Sequence, residues 1–119
     1  MPDQTSRPLP EIVQECIDKA DKAVAQLERT LAKELAQVGK NPDEDPETVL
    51  MRAHDKRISG IAAERAKVEY YKHVFQYGST KDRIKNTLAA YDELEERARK
   101  EKREAVRSLR EKLKQEKKS

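Results

Sequence analysis

The chain has 119 residues and a formal net charge of +3 at pH 7, with 41% charged residues and only 35% apolar residues. This length fits a single domain, and the composition is typical of long solvated helices rather than of an enzyme with a thick apolar core. No apolar run approaches the roughly 18 residues of a membrane span, and the N-terminus lacks the basic and apolar regions of a secretory signal. We therefore expect a cytoplasmic protein that does not enter a membrane, and the single cysteine, Cys16, favours a reducing compartment.

The first predicted helix spans residues 10–38 and carries the cleanest apolar stripe in the chain. Apolar residues recur every three or four positions, which places them on one face of an α-helix: Val13, Ile17, Ala20, Val24, Leu27, Leu31, Leu35 and Val38. Pro10 suits a first helical turn, and Gly39 suits the left-handed residue that ends a helix. We expect residues 1–9 to form a flexible segment.

The second predicted helix spans residues 46–77. Asp45 is a good N-cap and Pro46 a good first helical residue. The apolar stripe runs from Leu50 to Phe75, but His54 and Arg65 interrupt it. Gly60 is unfavourable inside a helix, so we expect either the close approach of a neighbouring backbone or a kink at this position.

The third predicted helix spans residues 80–116 and follows Gly78. Ser79 and Asp82 have the spacing of a capping box, with Asp in place of the usual Glu. The stripe of this helix becomes weaker beyond Leu94, because the later apolar residues are smaller or interrupted by charges.

Short connections between long helices make neighbouring helices antiparallel. The predicted fold is therefore an all-α, coiled-coil-like antiparallel three-helix bundle with an extended basic C-terminal helix, and it forms one domain over residues 10–116. Counting from the turns brings Val24 and Ala98 towards Ile61, so the first and third helices should meet on the same part of the second.

Four of the five aromatic residues lie close together at the end of the second predicted helix: Tyr70, Tyr71, Phe75 and Tyr77. Tyrosine is enriched at protein interfaces, so this cluster is a candidate partner-binding patch. The helical period places Tyr71 and Phe75 on the core face and the other two tyrosines elsewhere. The alternative is that these rings close the end of the bundle.

Positive charge is concentrated near the C-terminus, where residues 97–118 contain eleven Lys or Arg and four Glu. Five of these residues are candidates for contacting phosphate: Arg103, Arg107, Arg110, Lys112 and Lys114. The alternative is that they neutralise the acidic segment from Asp43 to Glu47, which the antiparallel register brings opposite. The absence of interleaved aromatic residues argues against stacking on single-stranded nucleic acid.

The sequence offers no catalytic constellation. His54 and Asp55 are adjacent, so on a helix they point about 100° apart and cannot orient each other. We expect no catalytic residues, no metal and no cofactor. The composition and pattern predict a non-enzymatic helical protein–protein interaction module, such as an adaptor, a regulator or a small subunit of an assembly, with a partner of unknown identity. Self-association fits the thin core, and nucleic-acid binding through the basic helix is the alternative function.

Overall fold

The computed structural model describes residues 9–75 and 78–118, and these residues form helices and turns without a strand. The helices are α1 (Leu9–Leu35), α2 (Pro46–Glu69) and α3 (Gly78–Lys118), with a short 3₁₀ helix at Tyr70–His73 between α2 and α3. The three α-helices pack together, which confirms the predicted all-α bundle. The predicted flexible segment lies outside the described residues except for Leu9, which begins α1.

The end of α1 lies three residues before the predicted end at Val38. Beyond Leu35 the backbone changes from α-helical bonds to tighter bonds between residues three apart. The Val38 N–H donates to the Leu35 carbonyl at 3.2 Å, and the Lys40 N–H donates to the Gln37 carbonyl at 3.2 Å. Gly39 has a φ of +80°, so it takes the left-handed conformation expected of it, but within this turn.

The start of α2 is as predicted. The Asp45 carboxylate caps the helix, because its Oδ2 accepts from the Thr48 backbone N–H at 3.2 Å and from the Thr48 hydroxyl at 2.8 Å. The end is not as predicted: α2 stops at Glu69 rather than at residue 77, and the chain tightens into the 3₁₀ helix. Bonds between residues three apart are common in the last turn of a helix.

The bounds of α3 are wider than the predicted residues 80–116. The helix begins at Gly78, so Ser79 lies inside the helix and the predicted capping box does not mark its start. It continues to Lys118, and its last turn contains Lys117 and Lys118. Positive side chains near a helix C-terminus interact favourably with the helix dipole, which accounts for the longer end.

The middle position in the bundle belongs to α2. It packs along both α1 and α3, whereas α1 and α3 contact each other at few places. The molecule is accordingly long and flat, with extents of 72 × 28 × 15 Å. Ion pairs between α2 and α3 join Arg65 to Asp92, Asp55 to Lys102, and Glu47 to Arg110.

The main core lies where the stripes of α1 and α3 meet α2. Its buried members are Val13, Ile17, Ala20, Val24, Ile58, Ile61, Val68, Ile84, Leu88, Tyr91 and Ala98. Burying each large aliphatic side chain contributes about 1.5–3 kcal/mol. The hydroxyl group of the buried Tyr91 in α3 also donates a hydrogen bond to the carboxylate of Asp21 in α1. Burial, together with this bond, raises the pKa of Tyr91.

The reason why a glycine occupies position 60 of α2 differs from the prediction. A Cβ atom at this position would lie 2.5 Å from Cδ1 of Leu27, so a side chain of α1, not a neighbouring backbone, fills the space. The helix α2 continues through Gly60 to Glu69. The glycine therefore allows Leu27 to pack closely on α2.

No helix in the described part of the chain is both long enough and apolar enough to cross a membrane.

Candidate functional site

A buried arginine links the three helices. Arg57 of α2 is only 5% exposed; its Nε donates to Glu28 of α1 at 2.8 Å, and its Nη1 donates to Glu101 of α3. Burial opposes the charge of the guanidinium, but the bonds to Glu101 and Glu28 outweigh this effect and raise the pKa of Arg57. The three charges therefore form a structural ion cluster that fixes α1 and α3 on α2.

The sequence pattern singled out His54 and Arg65 as the polar interruptions of the second stripe and missed Arg57. A signal was present, because His54, Arg57 and Ile61 follow one another at the three- and four-residue spacing of a buried seam. A long charged side chain at such a position is ordinarily assigned to the surface. Arg65 is only partly buried and forms ion pairs with Glu69 and Asp92.

The imidazole of His54 is buried beside this cluster. His54 is 3% exposed, and neither ring nitrogen has a hydrogen-bond partner among the residues that the structure describes. Burial is the main cause that lowers the pKa of His54, and the positive charge of Arg57 is the next. The folded protein therefore favours the neutral ring.

This environment predicts a loss of stability in mild acid. Because the folded-state pKa of His54 is lowered, the unfolded chain binds the proton more tightly. The stability that the neutral His54 ring contributes is fully present above the ordinary pKa of 6.5, and it is lost as the pH falls below that value. Replacing His54 with Leu should flatten the dependence of the melting temperature on pH between about 7 and 5, relative to the unmodified protein.

The other histidine of the chain provides the control, because His73 is exposed. Replacing His73 with Gln should leave the slope of melting temperature against pH unchanged. Equal slopes for the unmodified protein and the His54→Leu variant would contradict the role assigned to the buried ring.

The residues of the predicted aromatic patch lie in different environments. Tyr71 and Phe75 are partly buried and pack against the main core, as rings that close the bundle end would do. Tyr70 is 66% exposed, and its ring meets that of Tyr71 edge-on, with centroids 5.3 Å apart. The neighbouring Val74 is also exposed. Tyr77 lies outside the described residues.

The basic half of α3 and the first turns of α2 enclose a groove of about 580 Å³, which we call the basic groove. Its lining combines one residue of α2 with one face of α3: Met51, Lys102, Arg103, Val106, Arg107, Arg110, Glu111 and Lys114. Four of the five predicted phosphate-contacting residues are therefore brought together here. The fifth, Lys112, is exposed and does not line the groove.

The positive residues of the groove fall into two groups. Lys102 and Arg110 form ion pairs with α2, the first with Asp55 at 2.6 Å and the second with Glu47. The hydrogen bond from Arg110 to Glu47 raises the pKa of the arginine. Arg103, Arg107 and Lys114 form no ion pair with any residue that the structure describes. We call these three residues the basic rim.

Among the residues that the structure describes, α3 neutralises the acidic segment at one position. The predicted match placed Arg107, Arg110, Lys112 and Lys114 against the residues from Asp43 to Glu47. Of these pairings, the one between Arg110 and Glu47 is the one found within the described ranges. The Asp45 carboxylate is occupied by the N-cap of α2.

Two apolar residues line the groove, Met51 and Val106, and we call them its apolar floor. Beyond Ala98, no residue in the described part of α3 is buried, although four apolar side chains continue its stripe: Ala105, Val106, Leu109 and Leu113. Each of them is partly exposed, as is Met51 across the groove. The weak stripe predicted beyond Leu94 thus corresponds to a surface with apolar area open to solvent.

Comparison of the chain with protein-family models, with curated proteins and with solved structures found no match.

Proposed function

We propose that this protein is a non-enzymatic, cytoplasmic helical interaction module that docks another protein in the basic groove. The observation that carries the proposal is the open apolar floor at Met51 and Val106 beside the basic rim. Apolar surface with positive side chains at its border is a combination that protein interfaces use, since methionine and arginine are enriched there.

The energetics of the groove support docking of a protein surface. Covering apolar area contributes about 25 cal/mol per Å², and the aliphatic stems of arginine and lysine add to the area that a partner covers. The charged ends of Arg103, Arg107 and Lys114 remain at the edge, where they contact polar groups of the partner. An interface with an apolar centre and a polar edge follows from this arrangement.

The buried polar groups support a non-enzymatic role. The guanidinium of Arg57 is held by Glu28 and Glu101, so it serves to join helices within our proposal. The ring nitrogens of His54 are shielded from solvent in the same region. Neither side chain is placed to meet a substrate.

Nucleic-acid binding is the second candidate function. The observation that favours it is the positive charge of residues 97–118, which contain eleven basic and four acidic side chains. Such an excess attracts phosphates without regard to sequence. Two features weigh against it: Lys102 and Arg110 are already paired with carboxylates, and an apolar floor contributes nothing to binding a hydrophilic phosphate backbone.

Photocrosslinking from the groove tests the proposed function. A photoreactive phenylalanine derivative at position 107, on the exposed edge of the groove, is compared with the same group at the exposed position 22 of α1. After irradiation in the native cells and treatment with nuclease, we expect discrete protein adducts from position 107 alone. These adducts should disappear when the same chain carries Val106→Gln, because the floor would then be polar.

The result against the proposal is equally specific. Adducts that persist with Val106→Gln, that form equally from position 22, or that vanish with nuclease would show that the groove does not dock a protein. The nuclease-sensitive outcome would favour the second candidate.

A further inference from the structure

We infer that the partner of the basic groove is an acidic amphipathic helix, which lays apolar residues on Met51 and Val106 and places its carboxylates against the basic rim. This inference rests on the proposed function and specifies the partner of the same site.

The geometry of the lining fits a helical ligand. The α3 residues of the groove recur at helical spacing from Lys102 to Lys114, which corresponds to about 18 Å, or just over three turns. Within this length, Met51 of α2 and Val106 of α3 provide the apolar part of the lining. An amphipathic helix presents an apolar stripe of the same period, so it fills such a groove as a third helix fills the space beside two others.

The charge of the lining selects an acidic ligand. Glu111 is the one acidic residue among the eight that line the groove. Two cations of the lining, Lys102 and Arg110, already form ion pairs with carboxylates of α2. The basic rim lacks such partners within the described residues, and carboxylates of a docked helix supply them.

The same charges disfavour two other occupants of the groove, a second copy of this chain and a nucleic acid. A second copy that docked through this face would place its own eleven basic and four acidic residues of segment 97–118 against an identical set, which is repulsive. A nucleic acid would satisfy the basic rim but leave the apolar floor uncovered. A helix with one apolar and one acidic face satisfies both parts of the groove.

Fluorescence anisotropy with defined peptides tests the inference. The probe is a labelled helical peptide of about 18 residues, five turns, with leucine at positions i, i+3, i+4 and i+7 and glutamate on the remaining face. A matched peptide carries glutamine in place of each glutamate. We expect the acidic peptide to bind about tenfold more tightly, since it gains three exposed ion pairs, and the difference to shrink as salt rises.

Two groove variants and one control complete the test. Replacing the basic rim with glutamine (Arg103→Gln, Arg107→Gln, Lys114→Gln) should weaken binding of the acidic peptide by about tenfold. Val106→Gln should also weaken it. The control replaces three exposed lysines elsewhere, Lys22, Lys33 and Lys40, with glutamine, which changes the net charge equally and should leave the affinity unchanged. Circular dichroism checks that each variant is folded.

Three results would overturn the inference. The first is equal affinity for the acidic and the neutral peptide. The second is binding of a DNA duplex that the rim substitutions abolish and Val106→Gln leaves intact. The third is a dimer of the unmodified protein that the rim substitutions dissociate. If position 107 still gives nuclease-resistant adducts that require Val106, the proposed function stands and only the choice of an acidic helix fails.

Discussion

Replacing Ile61 with Asp should unfold the bundle. The Ile61 side chain is 0% exposed and belongs to the core cluster that joins the three helices. The substitution removes its apolar contacts and buries a carboxylate among apolar side chains, which costs several kcal/mol or protonates the acid. Because small domains are stable by about 5–15 kcal/mol, this loss removes much or all of the folding free energy.

Circular dichroism melts measure this effect. The matched control is Ala63→Asp, which introduces the same residue at an exposed position of α2. Its cost should stay below about 1 kcal/mol, the difference in helix propensity. A melting temperature for Ile61→Asp equal to that of the control would mean that the packing faces of α2 are assigned wrongly.

Replacing Arg57 with Ala should have the next largest effect on stability. The substitution removes a buried guanidinium and leaves the carboxylates of Glu28 and Glu101 without their shared counter-charge. Removing one partner of a buried ion pair costs about 3–5 kcal/mol. The side chains of Glu28 and Glu101 are 40% and 44% exposed, so they remain partly hydrated and we expect about 3 kcal/mol, the lower end of this range.

Chemical denaturation of matched variants separates the charge effect from the loss of volume. A triple variant with Arg57→Leu, Glu28→Gln and Glu101→Gln has no unpaired charge, and it should regain most of the lost stability, since apolar replacement of buried ion pairs is often nearly neutral. Arg52→Ala, at an exposed position of α2, is the control and should change stability by less than about 0.5 kcal/mol. Equal stability of the Arg57→Ala and Arg52→Ala variants would contradict the structural role of the ion cluster.

The core was predictable because it depends on periodicity and on the length of the connections. The stripe of α1 and the short turns placed Val24 and Ala98 near Ile61, and all three residues belong to the observed core. Helix ends were less predictable, because Leu35 and Glu69 are followed by residues with ordinary helical propensity that take tighter bonds. That choice depends on tertiary packing rather than on the residue types alone.

Spacing marked position 57 as part of a buried seam, but the ion cluster and the groove depend on tertiary contacts of individual side chains. Whether a basic residue is buried like Arg57, paired like Arg110 or left at an open edge like Arg107 depends on where a carboxylate of another helix lies. The sequence identified the concentration of positive charge and its position opposite the start of α2, but the partial exposure of Met51 and Val106 depends on how closely the folded helices pack.

Nuclear magnetic resonance mapping of the peptide complex tests the central claim most directly. In ¹⁵N-labelled protein, titration with the acidic amphipathic peptide should shift the backbone amides of α3 from Lys102 to Lys114 and those around Met51. The amides around Tyr70 and Val74, beyond the opposite end of α2, should keep their positions. Shifts confined to that opposite end, or no saturable shifts in the groove, would contradict the assignment of the basic groove as the docking site.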